Sequence, residues 1–208
     1  MPNPLLPGLQ LQPLPYHDRL PLRDPASLEM VVIHCTELPD LAMAREYGER
    51  VLYDSGAGNS GHFYIDRDGS VVQYVAPERV AHHVRGMNAH TLGIELVNRG
   101  RYPDWFDSRH QAMDEAYTEP QLEALERLLL ALVARYPSLR RIAGHDQLDL
   151  EQMPASDDPT LRVARKRDPQ QVVLMCGSGV TACHLLLAME TAGLSGARIY
   201  ADSWSGWV

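Results

Sequence analysis

The segment from Glu119 to about Tyr136 limits the fold of this chain more than any other. Leu122, Leu125, Leu129, Leu132 and Tyr136 recur at helical spacing and form one apolar stripe, and Thr118 and Gln121 have capping-box spacing. A helix with one apolar face has to lay that face on another layer. Short apolar runs elsewhere supply the layer. Glu29–His34 (EMVVIH) reads as a buried strand. His62–Asp66 and Val71–Val75 read as a hairpin, with Asp68-Gly69 marking its turn. Leu92–Val97 and Arg140–Ala143 read as further strands. A second helical stretch opens at Leu38-Pro39-Asp40 and runs to about Tyr53, with Pro39 in the first turn. The order strand, helix, hairpin, strand, helix, strand predicts an α/β fold with a mixed central sheet flanked by helices.

Changes of character divide the chain into three parts. Residues 1–28 hold seven of the fifteen prolines, interspersed with leucines, and read as an extended arm that wraps over the domain or hangs loose. Residues 29–169 carry the strand and helix alternation. Within them 146–168 is polar and irregular and reads as a long loop, a length that usually serves function. Residues 170–208 contain only Glu190, Arg198 and Asp202 as acidic or basic residues. There Val172–Met175 reads as a strand, Cys176–Thr181 as a glycine-rich loop and Ala182–Ala192 as a helix. Such a β-loop-α piece is too small to build a core, because its strand expects parallel neighbours.

A net charge of -8 offers no basic field, so nucleic acid is not an expected partner. No stretch is long and apolar enough to span a membrane, and no export signal is visible, so the expected location is the cytoplasm. Cys35, Cys176 and Cys183 make no disulfide framework, which suits a reducing compartment.

His34 closes one apolar strand, His145 closes another, and Asp168 ends the long loop. Two imidazoles and a carboxylate can hold a zinc ion and leave one position for water. For any one of the nine histidines, a structural or surface role is the competing reading.

Five motifs in order bear on that choice: Val32-Ile33-His34, Gly61–Gly69 (GHFYIDRDG), Leu92–Leu96 (LGIEL), Gly144-His145-Asp146 and Lys166-Arg167-Asp168-Pro169. Over about residues 29–169 the chain resembles the AmpD-type zinc-dependent N-acetylmuramoyl-L-alanine amidases, relatives of phage amidases and peptidoglycan recognition proteins. The resemblance implies Zn2+ held by His34, His145 and Asp168, with Glu95 as the catalytic carboxylate and Lys166 stabilising the transition state. Lys166 is also the only lysine beside eighteen arginines. A compact ammonium suits an oxyanion better than a forked guanidinium does. The expected reaction is hydrolysis of the amide between N-acetylmuramic acid and L-alanine in muropeptides or peptidoglycan, as in cell-wall recycling. His83, Asn88 and His90 are candidates for the substrate groove, and His62 reads as structural. Cys35, next to a ligand on a strand, should face the opposite side, into the core. The family usually continues Asp-Pro-Gly-Pro after the last ligand, whereas here Gln170-Gln171 follow Pro169.

Cys176–Thr181, Cys183, Leu194 and Tyr200–Trp207 resemble the end of a rhodanese or mercaptopyruvate sulfurtransferase, with Cys176 as the persulfide former. Asp202 stands where that family tends to have glycine. The rest of such a domain is missing, so sulfur transfer is a subordinate expectation, and self-association through an unpaired edge is another. A metal-free muropeptide-binding module is the second alternative to the amidase.

Overall fold

The computed structural model describes residues 5–167 and the backbone of residues 173–174 and 198–199. Among the described residues the main sheet has six strands: β1 (Gln10–Leu11), β2 (Met30–Cys35), β3 (Phe63–Ile65), β4 (Val71–Gln73), β5 (Thr91–Leu96) and β6 (Arg141–Gly144). Their spatial order is β1-β4-β3-β5-β2-β6. β3, β5, β2 and β6 run parallel, and β4 returns antiparallel to β3 through the Asp-Gly turn. This is the expected mixed sheet. No described helix is long and apolar enough to cross a membrane.

Period-two alternation divides the central strands between two faces. Val31, Ile33, Phe63, Ile65, Leu92, Ile94 and Leu96 point to one core, where α2 (Glu119–Arg135) covers them. Thr118 caps α2 with a reciprocal capping box to Gln121. The buried helix face is Ala124, Leu125, Leu128, Leu129 and Leu132, while Leu122 is only partly covered. The expected stripe is therefore rotated, because a helix on a sheet buries the i, i+3, i+4, i+7 set around Leu125 and Leu128.

The opposite face of the sheet is shared. Met30 and Val32 of β2 pack with Val84, and Tyr64 and Val72 pack with α1 (Leu41–Glu49) through Ala44. Leu14, Tyr16 and Leu20 of the N-terminal arm complete that second core. The arm thus lies along the domain through its leucines. β1 extends the sheet edge beside β4. α1 is shorter than expected: Asp40 is the N-cap, accepting from Met43 N at 2.7 Å, and Pro39 precedes the helix rather than sitting in its first turn. Residues 146–168 are not simply a loop either. α3 (His145–Leu148) leads into a hairpin of β7 (Gln152–Pro154) and β8 (Arg162–Ala164). Short strands with mixed polar composition gave that hairpin no alternating signature. β9 (Val173–Leu174) and β10 (Arg198–Ile199) pair in parallel.

Candidate active site

The face of β5 turned away from α2 carries Thr91, Gly93 and Glu95, and that of β2 carries Met30, Val32 and His34. Register sets His34 directly beside Glu95, and Tyr64 on the far side of Glu95. Ile33 pairs with Gly144, so His145, one residue further on, emerges at the same level as His34. The two histidines and the glutamate therefore meet at the carboxyl end of parallel strands, where α/β sheets bind ligands.

His34 Nδ1 lies 2.8 Å from His145 Nδ1 and 3.8 Å from Glu95 Oε1. Both imidazoles are buried, and Glu95 is 13% exposed. Gly61 leaves room for that carboxylate: a Cβ there would fall 2.8 Å from Glu95 Cγ. Burial first, then the mutual repulsion of neighbouring imidazoles and the Lys166 ammonium, hold His34 well below the usual imidazole pKa. His145 is lowered to about 4, by burial and then by Lys166. The positive charge of Lys166 disfavours a proton on either ring.

The far side of each ring is engaged as well. His34 Nε2 meets His83 Nδ1 at 2.9 Å, and His145 Nε2 faces the Asp149 carboxylate at 3.9 Å. With a proton on each Nε2, one donated to His83 and the other turned toward the Asp149 carboxylate, two Nδ1 lone pairs are left aimed at one another. Without a proton between them, the arrangement repels unless a cation occupies the point they share. That donor set, two neutral imidazoles with a carboxylate near, fits zinc. Among the described residues no three His, Cys, Asp or Glu side chains are arranged to hold a metal ion by themselves; Asp168, the expected third ligand, lies outside the described residues, as does Cys176.

The other candidates have internal tasks. Besides His34, the His83 ring meets Thr91 Oγ1 at 3.1 Å, and it lies on Gly93, where a Cβ would sit 2.7 Å from the ring. Asn88 Oδ1 accepts from the amides of His83 (3.0 Å) and Val84 (2.8 Å), shaping the turn that carries His83. His90 is exposed, with Nδ1 3.1 Å from Ser27 O. His62 is fully buried; its Nδ1 accepts from Gly93 N at 3.0 Å and its Nε2 faces Arg79 O at 3.1 Å, in keeping with a structural role. Cys35 faces away from His34, with Sγ 3.7 Å from Asn98 Oδ1, and is only partly buried.

Three supporting residues carry no local sequence signal. Arg23, from the arm, donates to the carbonyls of Pro77 (2.7 Å), Asn88 (2.8 Å) and Thr91 (2.8 Å), and burial lowers it to about 10. It ties the arm to the segment that bears His83. Arg101 is fully buried and forms a two-pronged pair with Glu37, at 2.6 and 2.8 Å. It also donates to Ala164 O at 2.7 Å and Arg165 O at 3.4 Å, so it fixes the backbone just before Lys166. Thr91 anchors His83. Each is a polar side chain whose partners lie tens of residues away, or across a turn, and no periodicity marks it.

The sequence profile described as N-acetylmuramoyl-L-alanine amidase matches residues 24–171, well over half of the chain. The endolysin of Enterobacteria phage T3 is 27% identical over 127 residues, spanning 58% of this chain and 77% of the endolysin. The fold resembles that of the N-acetylmuramoyl-L-alanine amidase LysC from Clostridium intestinale URNW, with TM-score 0.54, 22% identity, and coverage of 74% of this chain and 93% of that one. It also resembles a selenomethionine AmpD derivative, with TM-score 0.53, 21% identity, and coverage of 75% and 90%. A stretch of 44 residues, 21% of the chain, is 52% identical to a probable 3-mercaptopyruvate sulfurtransferase of Pseudomonas aeruginosa, of whose length it covers only 16%. By the profile match over residues 24–171, the chain belongs to the N-acetylmuramoyl-L-alanine amidase family.

Proposed function

We propose that the protein is a zinc-dependent amidase that hydrolyses the bond between the lactyl carbonyl of N-acetylmuramic acid and the amine of L-alanine in muropeptides. The observation that carries this reading is the pair of imidazole Nδ1 atoms 2.8 Å apart, with the Glu95 carboxylate 3.8 Å from one of them. His34 and His145 would hold the metal with Asp168. A zinc ion there supplies a Lewis acid.

The remaining chemistry belongs to the side chains. Glu95, on the floor between β2 and β3, takes a proton from the attacking water and delivers it to the alanine nitrogen as the amide C–N bond breaks. Lys166 stabilises the negative charge that grows on the carbonyl oxygen. Burial keeps His34 and His145 neutral, the state in which imidazole binds a metal. Since the sulfurtransferase match covers only 16% of that protein, no sulfur transfer is assigned.

The test is release of the alanine-linked peptide from a defined muropeptide, abolished by a chelator and restored by zinc. A chain that binds muropeptide but releases no peptide at any zinc concentration would be a recognition module instead.

A further inference from the structure

His83 has both ring nitrogens committed, and the chain of contacts fixes which carries the proton. Thr91 Oγ1 has one hydrogen, and its acceptor-only neighbour is Met87 O at 3.0 Å. With that hydrogen used, Thr91 Oγ1 accepts from His83 Nε2 at 3.1 Å. His83 Nδ1 is then the acceptor, and at 2.9 Å it takes the proton of His34 Nε2. The proton order runs His34 Nε2–H to His83, His83 Nε2–H to Thr91, and Thr91 O–H to Met87. Its end result is a bare lone pair on His34 Nδ1, aimed at the point shared with His145.

We infer that Thr91 and His83 are positioning residues that set the tautomer of His34, so that its Nδ1 is ready to bind a cation without first losing a proton. This rests on the zinc reading above, but the tautomer itself does not. The geometry is built for it. Thr91 is fully buried, two residues from Gly93, and the missing side chain at 93 lets the His83 ring lie flat on the strand within reach of both partners. Arg23 holds the Thr91 carbonyl from the other side. A serine or threonine hydroxyl meets the need at 91, and valine keeps the shape but not the hydroxyl.

Two readouts test this. In the metal-free protein, ring 15N shifts should show His34 and His83 both protonated on Nε2 and unprotonated on Nδ1. A His34 protonated on Nδ1 in the unmodified protein overturns the inference, whether or not zinc binds. In competition with a chromophoric chelator, Thr91→Val and His83→Leu should weaken zinc binding by about 10–100-fold, the usual cost of removing a partner behind a metal-bound histidine. Thr91→Ser should bind as the unmodified protein does. Zinc affinity unchanged in Thr91→Val and His83→Leu, while His34→Ala loses it, overturns the positioning role and leaves the metal site standing. An unmodified protein that takes up no zinc instead removes the amidase proposal, and the 15N pattern still decides the tautomer.

Discussion

Arg101→Met tests how the chain holds the backbone that leads to Lys166. The guanidinium makes two bonds to Glu37, one to Gln111 at 3.1 Å, and two to the carbonyls of Ala164 and Arg165. Methionine fills much of the same space, so the perturbation is electrostatic. It strands the Glu37 carboxylate, 7% exposed, without its partner and leaves two carbonyls to find water. Breaking a buried pair from one side costs about 3–5 kcal/mol, a large part of the stability of a domain this size. At a urea m-value of roughly 2 kcal/mol/M, the midpoint should fall by roughly 1.5–2.5 M. Adding Glu37→Leu to the same molecule removes the stranded charge, so the double variant should recover half or more of the loss, because a pair replaced by apolar groups is close to neutral. Urea denaturation of all four proteins, with zinc fixed, gives the cycle. Singles that add without coupling, or an Arg101→Met midpoint within 0.5 M or so of the unmodified one, would refute the clamp.

Four further outcomes are expected. Glu95→Gln should keep zinc and lose peptide release by about 10²–10⁴-fold, as removal of a general base does; loss of zinc as well would move Glu95 into the ligand set. Asp168→Ala should lose bound zinc and activity together, measured by metal analysis after gel filtration, and full occupancy in that variant would remove Asp168 from the site. Gly93→Ala should displace His83, since the new Cβ falls 2.7 Å from the ring, and should lower the melting temperature and zinc affinity together; an unaltered His83 ring signal by NMR would count against the close contact. In the metal-free protein, His83, lowered to about 3, and His145, lowered to about 4, stay neutral in the fold but gain protons when unfolded below about 6.5. Their folded pKa values are depressed, so stability is full above about 6.5 and is lost as pH falls toward 4. The urea midpoint in chelator should therefore fall steadily over that range, and a flat profile would sink the argument.

How much of the site was legible depends on which residues are considered. His34 lies near the end of one apolar strand and His145 just past another, and Glu95 alternates with Ile94 and Leu96, so strand period alone puts Glu95 off the core face. What period cannot say is whether that other face meets water or a neighbour. Register answers it: β2 beside β5 sets His34 against Glu95, and β2 beside β6 brings His145 level with them. His83 and Asn88 were visible as polar residues near the motif, but the sequence held no sign that they engage the protein's own backbone and rings.

The sequence by itself determined the local elements: an amphipathic α2 with its cap, short apolar strands, an Asp-Gly turn, and an arm rich in proline and leucine. These follow from contacts within a few residues, where propensity and period act. Only the tertiary structure decided which strands became neighbours, and therefore that Thr91, His83 and His34 line up in one chain of contacts and that Arg101 reaches from beyond β5 to the carbonyls before Lys166. Hydrogen bonds depend on distance and direction to a few tenths of an ångström. Partners tens of residues apart reach that precision only once the sheet has set its register.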